Sequence, residues 1–204
     1  MKQVLLQHMQ ENRKEYIIAI LILLTGLIFG VMMINNVNQN QEEQITSYLG
    51  AFLAALKEEH QINRFALLKN SILNNLILAT ALWFVGLAVI GIPLVFGIIF
   101  LKGFSLGYAI ASVIAMLGAA KGMTFSIFGL FLQNMITIPC VLAIGVSGMK
   151  LYKSITKGYR KENIKTEIYR HTIFSCFIFI LLCVSSLIEA YLSTVLLELI
   201  IPYF

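Results

Sequence analysis

The sequence contains no aspartate, and only 12% of its 204 residues are charged. Proline, cysteine and histidine are scarce, with three of each, and there is a single tryptophan. The absence of aspartate excludes an aspartyl protease. So few charges cannot cover the surface of a water-soluble domain. Most of the surface must therefore face something other than water.

Long uncharged stretches occupy residues 16–41, 122–148 and 172–188, and Lys102 is the only charge in residues 70–120. A bilayer accepts apolar helices of about 20 residues, so we predict an all-α, polytopic membrane helix bundle that forms one domain over residues 1–204. Residues 71–120 are too long for one pass, and Gly91-Ile92-Pro93 supplies a break. The predicted transmembrane helices are Tyr16–Ile34, which we interpret as a retained signal anchor, Ile72–Ile90, Pro93–Met116, Thr124–Met149, which contains Pro139 as a second expected helix break, and Thr172–Leu192.

Basic residues orient this bundle. Residues 150–171 hold far more Lys and Arg than Glu, so we expect this loop and residues 1–15 to be cytoplasmic. Residues 35–70 then form an external loop and residues 193–204 an external tail, in which Ser193 or Thr194 can cap a short helix that ends at Pro202. Orientation explains the net charge of +5 without a nucleic-acid partner. The predicted location is the bacterial cell membrane.

The external loop contains an amphipathic pattern. Apolar residues recur at three- and four-residue spacing from Ile45 onward. The helix can lie in the outer headgroup layer, or its apolar face can dock an extracytoplasmic protein. The docking candidates are Tyr48, Leu49, Phe52, Leu53 and Leu56.

The sequence predicts no enzyme, metal site or cofactor. Gly145-Val146-Ser147-Gly148 resembles an intramembrane serine protease motif, and Ser147 with Lys150 reads as Ser-x-x-Lys. A serine nucleophile needs a base and an oxyanion site in a watered cavity. Lys150 lies at a solvated helix end, and His171 is the only nearby histidine. Cys140, Cys176 and Cys183 fall in apolar segments, where we expect buried side chains and no disulfides.

Polar residues inside the predicted spans are the remaining functional candidates. Asn74, Asn75, Gln133, Asn134 and Glu189 all fall in the outer half of the membrane. Such side chains face the bundle and find partners, so the five can form one polar cluster or simply hold helices together. Lys102 lies near mid-membrane, or at the cytoplasmic edge if Pro93–Leu101 re-enters.

Small residues indicate close helix packing. Gly26 and Gly30 form a Gly-x-x-x-Gly pair in the first helix, and Gly103 and Gly107 begin a stripe of small residues in the third. Such stripes let helices approach within one chain or between two copies. A homo-oligomer is therefore possible.

At these residues the chain resembles the stage II sporulation protein M family. The resemblance runs along nearly the whole length, through Glu15-Tyr16, Gly26-Leu27-Ile28-Phe29-Gly30, Gly91-Ile92-Pro93, Leu101-Lys102-Gly103-Phe104 with Gly107, Gln133-Asn134 with Ile138-Pro139, and Glu189-Ala190-Tyr191 followed by Ser193. The chain departs from the family pattern at Leu132 and Thr194, where prolines are expected.

The resemblance implies a role in engulfment, when the mother-cell membrane migrates around the forespore. It implies a scaffold in the mother-cell membrane at the sporulation septum, which brings together stage II sporulation proteins D and P, two extracytoplasmic peptidoglycan-degrading enzymes. The chief alternative is a permease-like transport subunit, with Lys102 and Glu189 lining a pathway. Against it, neither residue has an ionisable neighbour in sequence, and the hydropathy shows no inverted repeat. A lipid-surface structural protein is a further alternative.

Overall fold

A computed structural model describes residues 12–34, 36–57, 63–88, 91–156 and 161–200, and these residues form helices and short turns without strands. The elements are α1 (Arg13–Ile34), α2 (Gln39–Lys57), α3 (Arg64–Leu87), α4 (Gly91–Leu117), α5 (Ala119–Phe125), π1 (Ser126–Phe131), α6 (Leu132–Thr156), α7 (Lys161–Leu187), π2 (Ile188–Ser193) and α8 (Thr194–Ile200). Here π1 and π2 are short π-helices, wider than the α-helices that they interrupt.

Five helices are long and apolar enough to cross a membrane, which confirms the predicted all-α membrane bundle. We call them spans 1 to 5, and they comprise Arg13–Ile34, Arg64–Leu87, Gly91–Leu117, Ala119–Thr156 and Ile164–Ile200. Span 4 contacts the other four spans and is buried without interruption from Cys140 to Met149. Large apolar side chains such as Phe29, Ile77 and Ile180 are exposed on the outside, as lipid-facing residues are.

The two prolines predicted as breaks behave differently. Span 2 ends at Leu87, Ala88 is extended, and Pro93 lies in the first turn of span 3, where its missing N–H costs little. Span 3 is one continuous helix of 27 residues, so residues 93–101 are part of a crossing helix and Lys102 lies near its middle. The break expected at Pro139 is wrong, because α6 continues through it. Neighbouring helices stabilise such prolines in membrane helices.

Spans 1 and 3 approach each other through glycine. A Cβ added at any of four glycines would collide with a backbone carbonyl oxygen of the opposite helix: Gly26 with Phe100, Gly30 with Phe104, Gly103 with Leu23, and Gly107 with Leu27. The contact is reciprocal, because the glycines of each helix pack against backbone carbonyl groups of the other. The two glycine stripes therefore meet within one chain.

The end of the chain differs from the expected tail. Span 5 continues through π2 into α8, up to Ile200. Although α8 is numbered from Thr194, it is not a separate helix, because the backbone of Thr194 is itself helical (φ −63°, ψ −47°). The Thr194 hydroxyl donates back to the carbonyl of Glu189 at 3.3 Å. Leu197 packs against Val113 and Phe125. Residues 193–200 thus extend the membrane helix, whereas Pro202 lies outside the described residues.

Candidate functional site

The Glu189 carboxylate is the centre of a polar cluster between spans. It accepts a hydrogen bond from the Ser71 hydroxyl of span 2. Gln133 of span 4, in the amide orientation that pairs donors with acceptors, places its nitrogen 2.6 Å from Oε2 and 3.0 Å from Oε1. Both carboxylate oxygens are therefore hydrogen-bonded within the protein.

A second layer of hydroxyl groups supports this contact. The Ser185 hydroxyl donates to the backbone carbonyl of Gln133 at 2.8 Å and lies 2.6 Å from the Thr137 hydroxyl. Asn75 donates to the Ser186 hydroxyl at 2.9 Å and to the carbonyl of Leu182 at 3.3 Å. These bonds join spans 2, 4 and 5 next to Glu189.

The five residues expected in one cluster are only partly brought together. Glu189 and Gln133 meet directly, and Asn75 belongs to the neighbouring layer. Asn134 is buried, but its amide donates to Leu130 of its own helix at 2.7 Å, and its Oδ1 has no partner in the described part of the chain. Asn74 is exposed and lies outside the cluster.

Lys102 on span 3 lies within electrostatic range of Glu189, although no direct hydrogen bond or ion pair joins it to any residue that the structure describes. Neither residue has an ionisable neighbour in the sequence, so their relation depends on how the helices pack. Four spans thus contribute to one site with one positive and one negative charge.

The two central residues of this site, Glu189 and Gln133, lie in or next to π-helices. Glu189 lies within π2, and Gln133 follows π1 by two residues. A π-helix has more residues per turn than an α-helix and therefore changes which side chains face inward; such segments are frequent at functional sites. Leu132 and Thr194, where the family resemblance leads one to expect proline, are the first residues after π1 and π2.

Sequence reasoning missed the hydroxyl groups of this site. A signal was available, because Ser71 precedes Asn75 by one helical turn, Thr137 follows Gln133 by one turn, and Ser185 precedes Glu189 by one turn. Side chains at this spacing share a helix face. Three polar stripes could thus have been predicted, although not their mutual contact.

A second buried polar group lies where spans 2, 4 and 5 cross. Ser147 Oγ is 2.9 Å from Nδ1 of His171, and both residues are buried. The other ring nitrogen faces the carbonyl oxygen of Trp83 at 3.4 Å. The Cα atoms of Gly86 and Gly148 pack beside the pair so closely that a Cβ at Gly86 would lie 2.9 Å from His171 Nε2.

The hydrogen bond between Ser147 and His171 is the contact that a serine nucleophile makes with its general base. A catalytic triad also needs a third group that orients the base, usually a carboxylate, and an oxyanion site open to substrate. Here a backbone carbonyl occupies the orienting position, and close helix packing surrounds the pair. The arrangement is typical of a buried polar contact between membrane helices.

The predicted amphipathic helix is α2, and its apolar face packs on the protein itself. Leu49, Phe52 and Leu53 contact the cluster formed by Val113, Phe125 and Leu197. The Phe52 and Phe125 rings lie edge to face with centroids 6.3 Å apart. These three docking candidates are therefore engaged within the chain. Tyr48 is 76% exposed, and the Leu56 side chain lies outside what the structure describes.

The next features are the possible metal ligands and the cysteines of the described residues. In residues 12–34, 36–57, 63–88, 91–156 and 161–200, no three His, Cys or Glu side chains converge as a metal site would require. The three cysteines are free; Cys140 is buried as expected, but Cys183 is half-buried and Cys176 is exposed.

One comparison with known proteins gives a match. A family model described as stage II sporulation protein M matches residues 19–194, which include the whole of spans 2, 3 and 4, most of spans 1 and 5, and every residue of the polar cluster. No curated protein and no solved structure matches the chain.

Proposed function

The chain belongs to the stage II sporulation protein M family, and we propose that it acts as a non-enzymatic membrane scaffold during engulfment. In this proposal it holds stage II sporulation proteins D and P, the peptidoglycan-degrading enzymes, at the sporulation septum. The basic loop at residues 150–171 faces the cytoplasm, so that α2 lies outside the cell membrane.

The observation that carries the proposal is the position of α2. It connects spans 1 and 2 in the sequence, and Leu49, Phe52 and Leu53 pack it against the bundle. Tyr48 lies one helical turn before Phe52, at the edge of the packed face, and is largely exposed. Tyrosine is enriched at protein interfaces, because it combines a large apolar ring with a hydrogen-bonding hydroxyl. A helix fixed on one face and exposed on the other is suited to presenting a docking surface.

The Ser147–His171 pair supports a role without catalysis. Its imidazole is paired with a backbone carbonyl and its surroundings are filled by Gly86 and Gly148. A substrate would have to separate three packed spans to reach the serine. This geometry favours a structural contact over a nucleophile.

The test is purification of the tagged protein from sporulating cells with a matched pair of variants in α2. Tyr48→Arg changes the exposed edge of α2 and should lower recovery of the two hydrolases at unchanged abundance of this protein. Phe52→Ser changes the packed face and should lower abundance, because it removes an aromatic contact with Phe125. Normal recovery and normal engulfment with Tyr48→Arg would contradict docking through this edge.

A transport subunit is the second candidate, and it is favoured by the presence of two ionisable residues, Lys102 and Glu189, inside the spans. Ionisable residues inside membrane spans often mark pathways for ions or solutes. The same purification separates the two proposals. Recovery of peptidoglycan-degrading enzymes supports the scaffold, whereas recovery of an ATPase without them supports transport.

A further inference from the structure

The Glu189 carboxylate is surrounded by groups that can donate hydrogen bonds to it or carry positive charge. Ser71 donates a hydroxyl proton, Gln133 donates amide protons to both oxygens, and Lys102 adds positive charge from span 3. Hydrogen bonds to an ionised acceptor are about twice as strong as neutral ones. The arrangement is that of a receptor for an oxyanion, with hydrogen-bond donors from two helices.

The helices that carry the two donors are held in place independently of the carboxylate. Ser71 is only 6% exposed, and its helix is joined to span 5 a turn further on by Asn75 and Ser186. The backbone carbonyl of Gln133 accepts hydrogen bonds from Ser185 and, at 3.1 Å, from Thr137. Removal of the Glu189 side chain would therefore leave a formed set of donors without an acceptor.

We infer that Ser71 and Gln133 form an oxyanion receptor within the membrane bundle and that Glu189 is its built-in occupant. The Glu189 carboxylate thereby links span 5 to spans 2 and 4. A positive charge in the membrane interior is costly without a counter-charge. An emptied receptor should consequently bind a small carboxylate from solution.

Acetate rescue of Glu189→Ala tests this inference. The full-length variant is purified in detergent, and its thermal unfolding midpoint is measured in sodium acetate and in sodium chloride of equal concentration. We expect Glu189→Ala to lower the midpoint by about 4 to 8 °C. Acetate should restore at least half of this loss relative to chloride, whereas the midpoint of the unaltered protein should be the same in both salts.

Glu198→Ala is the matched control. This residue lies on the same span, and its carboxylate also has a cationic partner, Arg64 at 2.8 Å, but both side chains are partly exposed. Water solvates the released guanidinium, so acetate should give no rescue beyond chloride. Equal effects of acetate on Glu189→Ala and Glu198→Ala, or none on Glu189→Ala, would overturn the inference.

The role of Lys102 is tested with Glu189→Gln, which preserves the shape of the side chain and keeps the protein measurable if Glu189→Ala does not fold. If Lys102 is the counter-charge, Lys102→Met should destabilise the unaltered protein and should raise the midpoint of Glu189→Gln, because it removes an unpaired charge. A double-mutant cycle gives this coupling. Equal destabilisation by Lys102→Met in both backgrounds would refute it.

Discussion

The glycine contact between spans 1 and 3 allows a quantitative test, because span 3 contains a matched pair of glycines. Gly103 packs against span 1, and an added Cβ would collide with the backbone oxygen of Leu23. Gly97 lies on the same helix, but a Cβ there would meet nothing within 4 Å. Replacing each with alanine makes the same chemical change in crowded and in open surroundings.

The expected effects have opposite signs. In an open helix position, alanine stabilises by up to about 1 kcal/mol relative to glycine, so Gly97→Ala should be neutral or stabilising. At Gly103 the same gain is opposed by overpacking, which costs about 1 to 3 kcal/mol. The obstacle is a backbone atom, which has no alternative rotamer, so the helices must move apart. We expect the two variants to differ by about 2 kcal/mol, which is roughly 4 to 8 °C in the unfolding midpoint.

The assay is thermal unfolding of both variants in one detergent, followed by circular dichroism. Gly26→Ala should behave like Gly103→Ala, because it collides with the Phe100 carbonyl from the opposite side of the same contact. If Gly103→Ala and Gly97→Ala unfolded at the same temperature, spans 1 and 3 would not approach as closely as described.

Three further predictions concern catalysis, the π-helices and orientation. Ser147→Ala should leave engulfment at its normal extent; a block at normal protein abundance would indicate a catalytic serine. Leu132→Pro should be tolerated, since φ at Leu132 is −57° and a wide turn precedes it. Ile136→Pro should instead cost about 3 kcal/mol of stability. Equal loss of folded protein in the two variants would contradict this. A reporter that is active only outside the cytoplasm should be active when fused after Phe204 and silent when fused at Lys157. The reverse pattern would show that the proposed orientation is wrong.

Hydropathy predicted the number of spans and the break before Pro93, because the cost of charge in a bilayer acts on each segment separately. It could not predict that Lys102 of span 3 and Glu189 of span 5 approach each other, which depends on how the helices pack. The amphipathic pattern of α2 identified a helix, but an apolar face looks the same whether lipid, a partner or the chain's own Phe125 covers it. The π-helices at residues 126–131 and 188–193 have no composition that distinguishes them from α-helix.

The positions of these glycines along the chain also determine the order in which the spans can pack together during synthesis. Gly103 is synthesised roughly 80 residues after Gly26, a delay of about 4 to 15 s at the usual rates of translation. During this interval span 1 resides in the bilayer without its main partner, and it can do so because residues 16–34 carry no charge. Glu189 is made last, when Ser71, Lys102 and Gln133 have already been synthesised. Glu189 therefore enters the membrane only after the residues that surround it, so its hydrogen bonds with Ser71 and Gln133 can form only once span 5 has been inserted.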